Sequence, residues 1–190
     1  MSTVTSSKSP IHMKCTVGYP FGVKDDSYSK GYHTGTDFPA SGTSLPNPVL
    51  YSVVENGIVE YVRDDVVGNG GDVALGNQVV IKDLITGLYY RYCHLLYTKI
   101  FVKVGDKVNL ETAIGLMGNT GNSTGTHLHL ELTDSMDWNT ANFYNPVEPL
   151  GIPNIQGTIV LYDGKIDPIP KNKNKYKTPL FGKRLAKYFI

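Results

Sequence analysis

The sequence is poor in cysteine and in long apolar runs, and each shortage excludes a class of protein. Only two cysteines, Cys15 and Cys93, occur in 190 residues, too few and too far apart for the disulfide framework of a small secreted scaffold. No run of about 20 apolar residues is present to supply a membrane-spanning helix. The opening stretch lacks an apolar core as well, because six of the eight residues from Ser2 to Ser9 are Ser or Thr. Residues 1–10 therefore read as a disordered leader rather than a signal peptide. Helical periodicity over ten or more residues is scarce, and nothing repeats at a period that would indicate a solenoid or propeller.

The charge is small but unevenly placed. Residues 165–190 hold eight of the 18 Lys and Arg and one acid, Asp167, so the rest carries 10 basic and 16 acidic side chains, a net of −6. A body of that sign offers no clustered cations for phosphate, which argues against nucleic acid as its partner.

What is present is a strand pattern. Short runs of Val, Ile, Leu and Tyr recur between Gly, Asn and Asp turn signals, at Val49 to Val54, Gly57 to Arg63, Asn77 to Lys82, Leu88 to Leu95 and His127 to Leu132. The spacing predicts a mainly β fold of antiparallel sheets with long loops and few helices. Ile85-Thr86-Gly87 joins two of the runs as a hairpin, and Val104-Gly105-Asp106-Lys107 reads as a tight turn. The domain is expected over residues 11–150. Residues 151–190 form an extension ending in a basic tail with large apolar residues, a candidate for docking onto a partner, onto an anionic polymer or back onto the acidic body.

The chemistry-bearing residues fall in three places. Thr126-His127-Leu128-His129-Leu130-Glu131-Leu132 alternates strictly, so as a strand it sends His127, His129 and Glu131 to one face and three leucines to the other. Glu131 reads equally as a group behind a metal ligand or as a solvated carboxylate. The block His33-Thr34-Gly35-Thr36-Asp37 adds an imidazole and a carboxylate. With His129 they make three N and O donors and leave a fourth position open, the usual plan of a catalytic zinc site. The third place is Tyr90-Arg91-Tyr92-Cys93-His94, where alternation puts His94 on the face of Tyr90 and Tyr92. It turns Cys93 the other way as a small buried residue. His12 lies outside these groups and reads as solvated.

Taken together, an early Gly-Tyr-Pro, the His-x-Gly-x-Asp-Phe block, a Gly-Asn-Gln-Val strand, a strand ending in His and a Gly-Asn-Thr-Gly-Asn-Ser-Thr-Gly loop before His-x-His resemble the lysostaphin family of peptidoglycan-cleaving metallopeptidases. The resemblance runs from about Gly18 to Leu150. It implies a lysostaphin-type peptidase fold, one zinc ion held by His33, Asp37 and His129, catalytic roles for His94 and His127, and Tyr19 as a phenol that stabilises the intermediate. It also implies peptide cross-links of bacterial peptidoglycan as the substrate, either glycine bridges or D-alanyl cross-links; no residue chooses between them, and the D-alanyl cross-link is the preferred expectation. The signal-free opening implies that something else delivers the enzyme or that the chain is a piece of a longer protein; either suits a phage product carried in the virion, with tail or other virion proteins as partners through the C-terminal tail.

Two departures from the family pattern stand out. Thr126 replaces a frequent Pro, and an insertion containing Asp25, Asp26 and Tyr28 lengthens the path from Tyr19 to His33, so that Tyr28 or Tyr32 competes for the place of Tyr19. Rival readings are a cupin-like barrel, which needs a further His after His129 that this chain lacks, and a catalytically silent or structural phage tail component that binds cell wall.

Overall fold

The computed structural model describes residues 2–164. The first half carries strands β1 (Thr3–Ser6), β2 (Cys15–Thr16), β3 (Thr36–Pro39), β4 (Val49–Tyr51), β5 (Gly57–Arg63) and β6 (Asn77–Asp83). The second half carries β7 (Tyr89–Ile100), β8 (Lys107–Val108), β9 (Ala113–Met117), β10 (His127–Thr133), β11 (Phe143–Tyr144) and β12 (Ile159–Tyr162). Helix among the described residues is confined to two single turns, Ala40–Gly42 and Glu148–Leu150, and no helix is long and apolar enough to cross a membrane.

The mainly β, antiparallel expectation holds. A large sheet runs β11-β10-β7-β6-β5-β8, with β3 beside β11 on the edge of β10 away from β7 and β9 joining β7 to β4. Its centre is the hairpin of β6 and β7, where Ile81 faces Tyr90 and Lys82 faces Tyr89. Gly87 supplies the left-handed backbone of its turn, with φ 78°. β10 lies between β3 and β7, so His129 has Asp37 on one side and Cys93 on the other. Residues directly opposite in an antiparallel pair share a face. Leu128, Leu130 and Leu132 therefore go into the core with Phe38, Tyr92 and Tyr90, and the opposite face of the same strands is left for polar chemistry.

Three expectations are corrected. Residues 3–6 are not a disordered leader. They pair in parallel with β12, from Thr3 opposite Ile159 to Ser6 opposite Tyr162, because an alternating Thr-Val-Thr-Ser segment suits a strand once an edge is offered. For the same reason no boundary falls near residue 150. β12 also pairs with β2, and Val160 belongs to the same apolar cluster as Leu128 and Phe38. The basic tail expected over 165–190 lies outside the described residues.

His12 is the third correction. Its ring is stacked between Tyr51 and Tyr162, with centroids 3.6 and 3.8 Å away and planes within 4° and 10°, so it joins β12, in the small sheet β1-β12-β2, to β4 of the large one. Its Nε2 is buried with no hydrogen-bond partner among the described residues. Burial pulls its pKa from 6.5 down to about 4. The folded chain then holds His12 neutral where the unfolded chain protonates it, so stability declines as pH falls from 6.5 to about 4 and this contribution levels off below that. His12→Phe keeps the stack and removes the titration. Its unfolding temperature should fall less steeply than that of the wild type over this pH range, and equal slopes in a thermal melt series would show that His12 plays no part.

Candidate metal centre and active site

Local backbone sets each donor in place. His33 sits in the loop before β3, its amide donating to the Val23 carbonyl at 2.8 Å and its own carbonyl accepting from Gly22 at 2.9 Å. Its Nδ1–H donates to the Pro20 carbonyl at 3.0 Å, which leaves Nε2 free of a proton and turned inward. Asp37 and His129 come from paired strands. The three contributing atoms are mutually close: His129 Nδ1 to Asp37 Oδ1 is 2.8 Å, His129 Nδ1 to His33 Nε2 is 3.1 Å, and His33 Nε2 to Asp37 Oδ1 is 3.3 Å. Bonds of about 2.0–2.1 Å to a tetrahedral ion place donors about 3.3–3.4 Å apart. The set could hold one metal ion.

The electrostatics agree with that reading. Burial pushes the Asp37 carboxyl up, but hydrogen bonds from His129 and His33 more than reverse this and hold it well below the usual range. Burial likewise depresses His129, and the Asp37 and Glu131 carboxylates outweigh it, raising the ring to about 10. The partly exposed Asp37 carboxylate and the buried Glu131 carboxylate thus call for a positive charge at His129. A bound cation would meet that demand by displacing a proton.

The remaining two histidines face the same volume. His94 and His127 have ring centroids 4.7 Å apart, and His94 lies 6.0 Å from His129. Both are anchored by their Nδ1–H groups to backbone carbonyls, His94 to Thr120 and His127 to Gly125, at 2.8 Å each. Both acceptors belong to the Gly-Asn-Thr-Gly-Asn-Ser-Thr-Gly loop, so its function here is to fix the tautomers of two rings. The loop needs Gly121 at φ 77°, where an added Cβ would run into the backbone of Gly76 and Val73. His127 Nε2 then points toward Asp37 Oδ1 at 3.8 Å. Burial, with His129 and His127 nearby, draws His94 down to about 3, leaving it a neutral hydrogen-bond acceptor at ordinary pH.

His94 arrives there by a route that alternation does not predict. Tyr90 and Tyr92 face the core, opposite Leu132 and Leu130, and the Tyr92 hydroxyl accepts from the Val53 amide. His94 itself is left-handed, with φ 61°, at the point where the pairing with β6 shifts register, and this irregularity sends its ring to the site. Cys93 is buried as expected.

Tyr19 lines a cleft of about 370 Å³ with Gly18, Asp37, Pro39, Thr126 and His127. Its ring is 5.1 Å from His33. Tyr28, carried by the insertion, also turns in, 5.3 Å from His33 and 6.5 Å from Tyr19, whereas Tyr32 packs on Phe21. The site therefore has two phenols. Glu131, read from sequence as equally solvated or structural, is fully buried behind His129. Sequence reasoning passed over Arg91 and Trp138, which contact it. The signal for Arg91 was available: paired against β10, it stands opposite Glu131 with opposite charge.

Known proteins resemble the chain in sequence and fold. The chain is 42% identical over 100 residues to the peptidoglycan DD-endopeptidase ShyA of Vibrio cholerae, covering 53% of this chain and 20% of that protein. It is 30% identical over 167 residues to the glycyl-glycine endopeptidase ALE-1 of Staphylococcus capitis, covering 87% of this chain and 40% of that one. It thus spans well under half the length of these relatives. Among solved structures it resembles the catalytic domain of lysostaphin from Staphylococcus simulans, with a TM-score of 0.56, 27% identity, and coverage of 72% of this chain and 92% of that domain. The model of peptidase family M23 matches residues 31–144, a span that holds His33, Asp37, His94, His127 and His129 and begins after Tyr19. The chain belongs to peptidase family M23.

Proposed function

We propose that this chain is a zinc-dependent endopeptidase that hydrolyses peptide cross-links of bacterial peptidoglycan. One observation carries the reading: a two-imidazole, one-carboxylate donor set lies beside two more imidazoles whose Nδ1 atoms are tied back to carbonyls. Nitrogen and oxygen donors with one position open suit zinc. Bound there by His33, Asp37 and His129, zinc would supply a Lewis acid and an activated water with a pKa near about 7.

The chain's own residues would do the rest. His94 and His127 present unprotonated Nε2 atoms, so either can take a proton from the nucleophile and later pass it to the leaving amine. Tyr19, at the cleft beside Asp37, is placed to donate its hydroxyl to the developing oxyanion. No Glu of a His-Glu-x-x-His helix is available, so the base is a histidine.

The D-alanyl cross-link is the proposed bond, supported by the higher identity to the DD-endopeptidase relative than to the glycyl-glycine one. Digestion of purified walls with D-alanyl or with glycine-bridged cross-links, followed by mass spectrometry of the fragments, tests the bond. The expected result is new C-terminal D-alanine and a free side-chain amine. Cleavage within glycine bridges alone would overturn the specificity.

A further inference from the structure

Behind the metal donors lies a drier cluster that the chemistry above does not use. Glu131, two residues from His129 on β10, has no exposed surface. Its Oε1 accepts hydrogen bonds from Thr34 Oγ1 at 2.7 Å, Trp138 Nε1 at 3.1 Å and His129 Nε2 at 3.2 Å. Its Oε2 lies 3.3 Å from Nε of Arg91, which is itself buried. Arg91 is held in turn by Gln78 Oε1 at 2.6 Å and the Met136 carbonyl at 2.8 Å.

An ion pair this deep recovers little more than its desolvation cost, so stability is a weak reason for its presence. Orientation is a better one. His33, His94 and His127 have Nδ1 tied to backbone carbonyls and leave Nε2 for the site. His129 is reversed: its Nδ1 faces Asp37 and His33, and only Glu131 receives its Nε2. Gly35 leaves room for the ring in this orientation, since a Cβ there would lie 2.8 Å from its Cε1 and Nε2.

We propose that Glu131 is a positioning residue for the metal centre: by accepting the Nε2–H of His129 it fixes the tautomer and rotation that aim Nδ1 at the ion, while Arg91 balances its charge. This rests on the metal reading above. Outer carboxylates on ligand histidines typically contribute 10–100-fold in metal affinity. The substitution E131Q keeps the shape and one acceptor oxygen but removes the charge.

The experiment uses the full chain loaded with zinc, with a competing chelator for affinity and nitrogen-15 ring spectra for the histidines. In the wild type, His129 should show a metal-bound Nδ1 and a slowly exchanging Nε2–H. In E131Q the affinity should fall about 10–100-fold and the Nε2–H should exchange faster. Wild-type affinity and exchange in E131Q, or a lowered melting temperature as its only change, would overturn the proposal. If E131Q does not fold, the wild-type spectrum decides alone, and an Nδ1–H on His129 there overturns it. A wild-type protein that takes up no zinc overturns the metal reading first, and this proposal with it.

Discussion

Asp37→Asn should leave a folded protein that no longer keeps its metal and no longer opens cell-wall cross-links. Asp37 is the sole anionic donor of the set, and its Oδ1 lies within 3.3 Å of both ligand nitrogens. The amide has nearly the same shape, so the β3–β10 pairing that carries Asp37 opposite His129 survives. What disappears is the charge that favours a divalent ion. Without that ion, water in the cleft returns from a pKa near about 7 toward about 15.7, and activity should fall to the level of the chelated wild type. Metal analysis after dialysis, beside circular dichroism, checks both halves. Full zinc content in Asp37→Asn would remove this residue from the donor set.

The second large effect separates proton transfer from metal binding. His94→Gln and His127→Gln should each lower kcat/KM by about 10²–10⁴ while zinc content stays at one ion. Neither ring is among the donors, and each is anchored independently, to Thr120 and to Gly125. The double variant should lose no more than the worse single one if the two rings serve one proton path, because residues that act as a unit are non-additive. The pH profile adds a finer test. Burial and the neighbouring rings draw His94 down to about 3, and a bound cation pushes the same way. The acid limb of kcat/KM above pH 5 is therefore not His94's, and it should persist in His94→Gln. Steady-state kinetics on a soluble cross-linked peptide would show it, and loss of that limb would mean that His94 titrates in the working range.

The sequence made the site legible where strand alternation is regular. His127, His129 and Glu131 opposite three core leucines is the pattern of a strand with one buried apolar face, and β10 has that form. The hairpin of β6 and β7 was readable from Gly87 for the same reason. Legibility failed where one residue departs from the regular backbone or where a contact is distant in sequence. The φ of 61° at His94 breaks the alternation, so its face could not be read from Tyr90 and Tyr92. The stacking of His12 between Tyr51 and Tyr162, and the pairing of residues 3–6 with β12, join segments about 40 to 156 residues apart, beyond any local period. Glu131 was half-read: its face was evident, but its burial depends on Thr34, Arg91 and Trp138 meeting from three separate segments.

The insertion shows how a family pattern is adapted in one chain. Lys30 lies over the rings of Trp138 and Phe143, 4.9 and 5.6 Å from their centroids, and donates to the Asn139 carbonyl at 2.9 Å. That anchors the inserted loop to the segment whose indole supports Glu131. Tyr28 is thereby held beside His33, next to the Tyr19 phenol rather than in place of it.

The most direct test of the central claim is release of new amino groups from purified, cross-linked peptidoglycan by the zinc-loaded protein, compared with the same protein stripped by chelator and then restored with zinc. The account predicts amino-group release that vanishes on stripping and returns with about one equivalent of zinc. Walls left intact by a protein that demonstrably holds zinc at His33, Asp37 and His129 would contradict it.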